Sequence, residues 1–236
     1  MKASKKKLVV LTGAGISAES GIPTFRASDG LWENHAIEDV ATPEGFRKNP
    51  ALVLRFYNER RAKLDQVEPN EGHKILARLE KYFDVQIITQ NVDNLHERAG
   101  SKKVLHLHGE LTKARSTVDS SLVYEIGTKA INLGDKCEKG SQLRPHIVWF
   151  HEDVPLIETA VKLTEEADIF VVVGTSLQVY PAAGLVNYVA GFVPIYIIDP
   201  KKPAVSTRKN MIFVEEIGSV GLAKLWDILV NDKPTH

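Results

Sequence analysis

Lys7-Leu8-Val9-Val10-Leu11-Thr12-Gly13-Ala14-Gly15-Ile16-Ser17-Ala18 joins a short apolar run to a pair of glycines. The run is apolar on both faces, which reads as a buried strand of a parallel sheet. Gly13, Gly15 and Ala18 then fit G-x-G-x-x-A where the strand turns into a helix. Gly13 permits the tight turn, Gly15 lets backbone N–H groups approach a pyrophosphate, and Ala18 allows close helix packing. A strand-to-helix turn that needs glycines for sterics alone has the same appearance, so the loop by itself leaves dinucleotide binding open. An ordinary dinucleotide fold ends its second strand on an acidic residue about 20 positions later. Here the chain continues Ser20-Gly21-Ile22-Pro23-Thr24-Phe25-Arg26, which disfavours a simple hydride-transfer enzyme.

Outward from this stretch, further strand-like runs follow at Asp84 to Ile88, Asp168 to Val173, Pro194 to Ile198 and Met211 to Val214. Between them lie helical patterns with start signals: Asn49 before Pro50, Asn70 ahead of Ile75, Leu76 and Leu79, Pro155 opening a run to Ala167, and Ser219 before Leu222, Leu225 and Leu229. The alternation predicts an α/β fold, a doubly wound parallel sheet of Rossmann-like kind. Phe25 to Gln66 and Thr112 to Pro145 break the alternation. We therefore assign 1–24, 67–111 and 146–236 to the large domain, and 25–66 and 112–145 to a loop, a helical insertion and a small module.

With 236 residues, 43% of them hydrophobic, the chain has enough apolar content for a large core. Thirty basic residues balance 30 acidic ones, so no overall field favours a nucleic-acid partner. The apolar run at Leu8 to Leu11 is too short for a secretory signal, and no stretch approaches the roughly 20 apolar residues of a membrane span. Cys137 is the only cysteine, so an internal disulfide is impossible and a reducing cytoplasm is the expectation. Nothing nearby in the sequence marks that thiol as activated, so a cysteine nucleophile is not expected.

Four blocks carry polar or glycine residues in order: Gly13-Ala14-Gly15-Ile16-Ser17 with Gly21-Ile22-Pro23-Thr24-Phe25-Arg26, then Thr89-Gln90-Asn91-Val92-Asp93, then His108-Gly109, then Gly174-Thr175-Ser176. Taken alone, the second block also reads as a capped turn, with Asp93 or Asn94 starting a helix. His106 and His108 alternate to one face, and two histidines at this spacing also admit metal ligation, although no partner ligands accompany them.

In this order and spacing the blocks resemble the signature of the sirtuin family, from about Val9 to Val220. The resemblance implies a cleft between two domains that holds NAD, consumed as a co-substrate, and an acylated lysine of a protein. It implies cofactor contacts from Gly13, Ala14, Gly15, Ser17, Phe25, Arg26, Gln90, Asn91, Asp93, Gly174, Thr175, Ser176, Asp199 and Val220. Asn91 and Asp93 would hold the nicotinamide end and Gln90 the adjoining ribose, with Phe25 and Arg26 in a covering loop. His108 would be the general base, assisted by Asn91, with His106 a packing neighbour. The implied chemistry starts with attack of the acyl oxygen on the ribose carbon as nicotinamide departs. His108 then draws a proton from the ribose hydroxyls, and water completes the release of lysine and O-acyl-ADP-ribose. An imidazole, with a pKa near ~6.5, suits that proton transfer.

On the helix after Asn49-Pro50, Tyr57 and Arg60 are three residues apart and share a face. A phenol beside a guanidinium is a receptor for a carboxylate, and the pair matches the Tyr-x-x-Arg pattern of sirtuins that remove succinyl and malonyl groups. A solvated arginine beside a ring-anchored tyrosine is the plainer alternative. Val148, Trp149 and Phe150 resemble the segment that pairs with a substrate backbone.

Three departures from the family pattern stand out. Most sirtuins place four cysteines around zinc, whereas Cys137 stands alone between Lys113 and Pro145, so we expect no structural zinc and a module packed on Leu122, Val123, Tyr124, Ile126, Ile131 and Leu133. His151 stands where glycine is expected, and Asp199 where asparagine is. A mono-ADP-ribosyltransferase using the same NAD site, or an NAD-binding sensor without turnover, remain the alternatives to a deacylase.

Overall fold

The computed structural model describes residues 4–24, 31–32 and 35–231. Its elements run β1 (Lys7–Thr12), α1 (Gly15–Ala18), β2 (Leu31–Trp32), β3 (His35–Ala36), α2 (Ile37–Val40), α3 (Pro43–Lys48), α4 (Pro50–Lys63), α5 (Glu71–Leu79), β4 (Asp84–Thr89), α6 (Leu95–Arg98), β5 (Val104–His106), β6 (Gly109–Ser116), β7 (Val123–Glu125), β8 (Leu143–Ile147), α7 (Ile157–Glu165), β9 (Ile169–Val173), β10 (Ile195–Ile198), β11 (Met211–Val214) and α8 (Gly218–Trp226).

Six of these strands form a parallel sheet in the order β11-β10-β9-β1-β4-β5. β1 is central, so both its faces must be apolar, and the period of two along the strand divides them. Leu8 and Val10 face a core with Ile87, Val171 and Ile198 that α5 and α8 close through Leu76, Leu79, Leu222 and Leu225. Val9 and Leu11 face the opposite core with Ile88, Phe170 and Val172, which α7 closes through Ala160. Truncating any of these fully buried leucines to alanine would cost about 2–5 kcal/mol. β5 has no counterpart among the expected strands: three residues ending in a histidine carry too little apolar pattern to be read.

The helix starts follow side-chain capping. Asn49 accepts the Leu52 N–H at 3.1 Å and Asn70 the Gly72 N–H at 2.9 Å, each satisfying a donor that the first helical turn leaves open. Ser219 lies inside α8 instead of capping it, and its N–H donates to Glu19 at 3.0 Å.

A smaller antiparallel sheet, β7-β6-β8, packs with α2, α3 and α4 around a third core that includes Val40, Phe46, Phe56, Leu111, Ala114, Ile147 and Trp149. Gly109 joins the two sheets. It sits at φ +82, and a Cβ there would stand 2.0 Å from the His146 carbonyl oxygen, so only glycine lets β6 leave the large sheet beside β8. Among the described residues no helix is long and apolar enough to cross a membrane.

Candidate active site

From β1 the chain builds outward to β4 and β5, then returns to the other flank of β1 with β9. The winding reverses between β1 and β9, and α/β sheets open a crevice at such a point, beyond the carboxyl ends of the strands. Each predicted block leaves the sheet there: Gly13–Ser17 from β1, Gln90–Asp93 from β4, His108 just after β5, Gly174–Ser176 from β9 and Asp199 from β10. All of them but Ile16, which packs into the core, line one cavity of about 400 Å³.

The glycines serve a purpose the motif did not foretell. Gly13 N–H donates to the Val173 carbonyl at 3.0 Å and Gly15 N–H to the Gly174 carbonyl at 2.8 Å. A Cβ on Gly13 would stand 2.6 Å from Thr175 Cβ, and one on Gly15 2.6 Å from Gly174 Cα. They lock the β1 and β9 loops together, a packing role beside the expected one of letting backbone N–H groups approach a pyrophosphate. Ala18 is exposed, so close helix packing is not its reason.

After β4, a chain of hydrogen bonds fixes the polar triplet. Asn91 Nδ2 donates to the Gly13 carbonyl and to Ser17 Oγ, both at 3.1 Å, and Ser17 Oγ donates to Asp93 Oδ2 at 3.0 Å. The other oxygen of Asp93 accepts the Leu95 N–H at 3.1 Å, so Asp93 also satisfies the first N–H of α6, whose N-cap position is Asn94. Burial pushes the Asp93 carboxyl up from its ordinary range, while the Leu95 N–H, the Ser17 hydroxyl and the charge of His106 pull it back. Gln90 Nε2 donates to Thr175 Oγ1 at 3.1 Å, tying the β4 loop to the β9 loop.

His108 Nδ1 is 3.0 Å from the Gln90 carbonyl oxygen. A carbonyl only accepts, so Nδ1 carries the proton and Nε2 is left as the basic nitrogen. Burial holds the His108 pKa below its ordinary value, against the smaller effect of that hydrogen bond, which leaves the ring neutral and able to take a proton at neutral pH. His106 is not a mere packing neighbour. Its Nδ1 meets the Asn91 carbonyl at 2.9 Å and its Nε2 meets Glu97 Oε1 at 2.8 Å.

The far end of the cavity is aromatic. Tyr57, Trp149, Trp32, Val148 and Phe150 line it. Trp149 Nε1 donates to the Tyr57 hydroxyl at 2.9 Å, and burial pushes the phenol pKa up, so Tyr57 stays neutral. Trp149 is itself held from behind. Its N–H donates to Glu152 at 2.8 Å, the Arg144 guanidinium lies 3.3 Å from its ring centroid, and Arg144 and Arg115 both pair with Glu152.

Arg60 does not join Tyr57 on the wall. Its Nη1 donates to the Phe56 carbonyl at 2.6 Å and its guanidinium lies 3.1 Å from the Phe56 ring centroid. The shared helix face thus brings one member of the predicted pair to the cavity. Val220, on α8, is exposed and off the wall, and Phe25 and Arg26 lie outside the described residues. The wall also contains Ile22, Val92, Glu152 and Tyr180, which the sequence reading missed. His151, on the rim, has φ +68, the left-handed conformation that makes glycine the expected residue there.

The Sir2 family profile matches residues 13–181. An NAD-dependent protein deacylase of Bacteroides thetaiotaomicron is 54% identical over 230 residues, covering 95% of this chain and 98% of its own. The chain belongs to the Sir2 family. A second NAD-dependent protein deacylase, from Helicobacter pylori, is 56% identical over 211 residues, covering 89% of this chain and 92% of its own. A solved Sir2 homologue in complex with NAD aligns with TM-score 0.83 at 40% identity, covering 94% of this chain and 88% of that one. A Sir2 structure with a p53 peptide and NAD aligns with TM-score 0.77 at 30% identity, covering 95% and 93%.

Against the four-cysteine pattern of many Sir2 proteins, this chain wires its small module with other bonds. The Cys137 thiol lies 3.4 Å from Ser116 Oγ and 3.1 Å from Ser141 Oγ, Lys139 pairs with Asp119, and Tyr124 bonds Glu138. Among the described residues no group of three or more His, Cys, Asp and Glu is placed to hold a metal. Ile126 and Ile131 pack into the third core as expected, but Val123, on the edge strand β7, and Leu133, in a turn between β7 and β8, are exposed. The hydrogen bonds of Ser116 and Ser141 lower the Cys137 thiol to about 7, which corrects the expectation that nothing perturbs it; its side chain is off the cavity wall.

Proposed function

We propose that this protein is an NAD-dependent protein-lysine deacylase that removes acetyl groups and, through its aromatic end, succinyl and malonyl groups, releasing nicotinamide and O-acyl-ADP-ribose. The observation that carries the reading is the orientation of His108: one nitrogen committed to the Gln90 carbonyl, the other left basic in the cavity that Tyr57 closes. The polar groups fit a dinucleotide, with hydroxyls from Thr175 and Ser176, the Gln90 amide and the accepting Asp199 carboxylate along the crevice. NAD, when bound, supplies the electrophilic ribose carbon and the hydroxyls that receive the acyl group.

The residues do the rest by position. The Asn91–Asp93 segment orients the nicotinamide end. His108 Nε2 accepts a proton from a ribose hydroxyl and returns it to the departing group, the task that a neutral, partly buried imidazole performs at neutral pH. No protein nucleophile is required, in keeping with acceleration by orientation and excluded water.

Two features support an acidic acyl group. The indole N–H only donates, so the Tyr57 oxygen accepts from it and keeps its own proton to give to an occupant. The positive charges of Arg144 and Arg60 act on that oxygen against the carboxylate of Glu152, which Arg144 and Arg115 both pair. Arg60 would turn from the Phe56 ring to meet the acyl carboxylate.

Incubation with NAD and matched acetyl-lysine and succinyl-lysine peptides, followed by mass spectrometry, tests the reading. Nicotinamide release with loss of acyl mass from both peptides is expected. A mass gain on a protein acceptor would instead mark an ADP-ribosyltransferase, and NAD binding without nicotinamide release would mark a sensor.

A further inference from the structure

Glu97 is the acidic partner of a histidine that touches the site from behind. The His106 side chain is 7% exposed and that of Glu97 41% exposed. Both partners of the His106 ring are acceptors: the Asn91 carbonyl oxygen at Nδ1 and a Glu97 carboxylate oxygen at Nε2. A neutral imidazole has one N–H and one lone pair, so it would set a lone pair against one of these oxygens. Only the doubly protonated ring satisfies both contacts. Burial pushes the partly exposed Glu97 carboxyl up, but the bond to His106, the charge of that ring, a main-chain hydrogen bond and the charge of Lys113 together hold it below the ordinary range, so Glu97 keeps its own charge.

We infer that His106 is a charged positioning residue: an imidazolium held by Glu97 that fixes the Asn91 carbonyl and keeps the buried Asp93 carboxylate ionised. The inference rests on the reading of Asn91–Asp93 as the nicotinamide-end segment. The other charges around the ring are accounted for. On β6, Glu110 faces it and is paired with Lys113 at 2.6 Å. On α6, His96 is deeply buried and held well below the ordinary histidine pKa, first by burial and then by the charges of His73 and His106, so it adds no charge. Asp93 is the remaining carboxylate; the His106 charge opposes the upward push of its burial, and the Glu97 charge adds a smaller upward push.

Glu97→Gln separates charge from shape. The amide N–H₂ can donate to a neutral His106 Nε2 while Nδ1 still serves the Asn91 carbonyl, so the hydrogen-bond chain survives and only the charge is lost. The His106 charge lowers the Asp93 pKa more than the Glu97 charge raises it, so losing both lets Asp93 bind its proton more readily and stay protonated to higher pH. In Glu97→Gln the acid limb of the kcat/KM profile for NAD should move to higher pH, and the curve should rejoin wild type on its alkaline side. A purely structural partner would lower the whole profile without moving its limb.

Nitrogen NMR of histidine-labelled protein gives a readout independent of turnover, with His106 assigned by the signals missing from His106→Gln. Both His106 nitrogens should be protonated at pH 7 in wild type, and one should be bare in Glu97→Gln. A neutral His106 in wild type, or an unmoved acid limb in Glu97→Gln, overturns the inference. Wild-type turnover in Asp93→Asn would overturn it by another route, by removing the role given to the Asn91–Asp93 segment while the nitrogen signals stay as stated.

Discussion

The two ends of the cavity are built on different principles. At the crevice end, side chains are tied to main-chain oxygens: Asn91 to Gly13, His106 to Asn91 and His108 to Gln90. At the aromatic end, rings lean on rings, with centroids 5.1 Å apart for Trp32 and Phe56 and 6.3 Å for Tyr57 and Trp149. A hydrogen bond to a fixed carbonyl sets one nitrogen in one direction, which proton transfer needs. Ring packing has shallow orientational preferences, and it can surround acyl groups of different length. The crevice end should therefore be indifferent to the acyl group, and the aromatic end selective for it.

The largest expected effect tests the indifferent end. His108→Ala should lower kcat for acetyl and succinyl peptides alike by about 10²–10⁴, with NAD affinity, measured by calorimetry, nearly unchanged. Unequal losses on the two peptides would break the comparison, because the proton acceptor would then be sensing the acyl group. Arg60→Met tests the other end. Losing a charged hydrogen bond worth about 1.5–3 kcal/mol should cut kcat/KM for the succinyl peptide about 10- to 100-fold, with the acetyl peptide little changed. Equal losses on both would mean that Arg60 serves the helix through the Phe56 carbonyl and not the substrate.

The same division explains what was legible in the sequence. The crevice is made where parallel strands end, and its parts are contiguous triplets such as Gln90-Asn91 with Asp93, and Gly174-Thr175-Ser176, so motif and spacing located them. The sequence could not say that Gly15 spends its N–H on Gly174, since that partner lies far along the chain. Nor could it show that His106 is ion-paired, because Glu97 sits on α6 with no spacing rule to link them. At the aromatic end, the three-residue spacing placed Tyr57 and Arg60 on one face, yet a long side chain chooses its direction from its neighbours, and the Phe56 ring takes the guanidinium. Val220 shows the converse: a residue expected from resemblance lies on an exposed helix face once α8 is in place.

The smallest expected effect is the most discriminating. Tyr57→Phe removes a neutral hydroxyl, worth about 1 kcal/mol or roughly a fivefold change in the succinyl-to-acetyl ratio of kcat/KM. It also strands the Trp149 indole N–H, whose acceptor is that hydroxyl, so the single variant mixes a lost contact to the substrate with a disturbed wall. Trp149→Phe removes the indole donor in advance. If Tyr57 gives its proton to the acyl carboxylate, Tyr57→Phe made in the Trp149→Phe background still lowers the ratio, because the phenol has lost a bond to the substrate. If Tyr57 serves only as the acceptor for Trp149, the second change alters nothing in that background. The coupling between the two substitutions, read as a double-mutant cycle on the ratio, thus decides whether the aromatic end recognises the acyl group or only shapes the space around it.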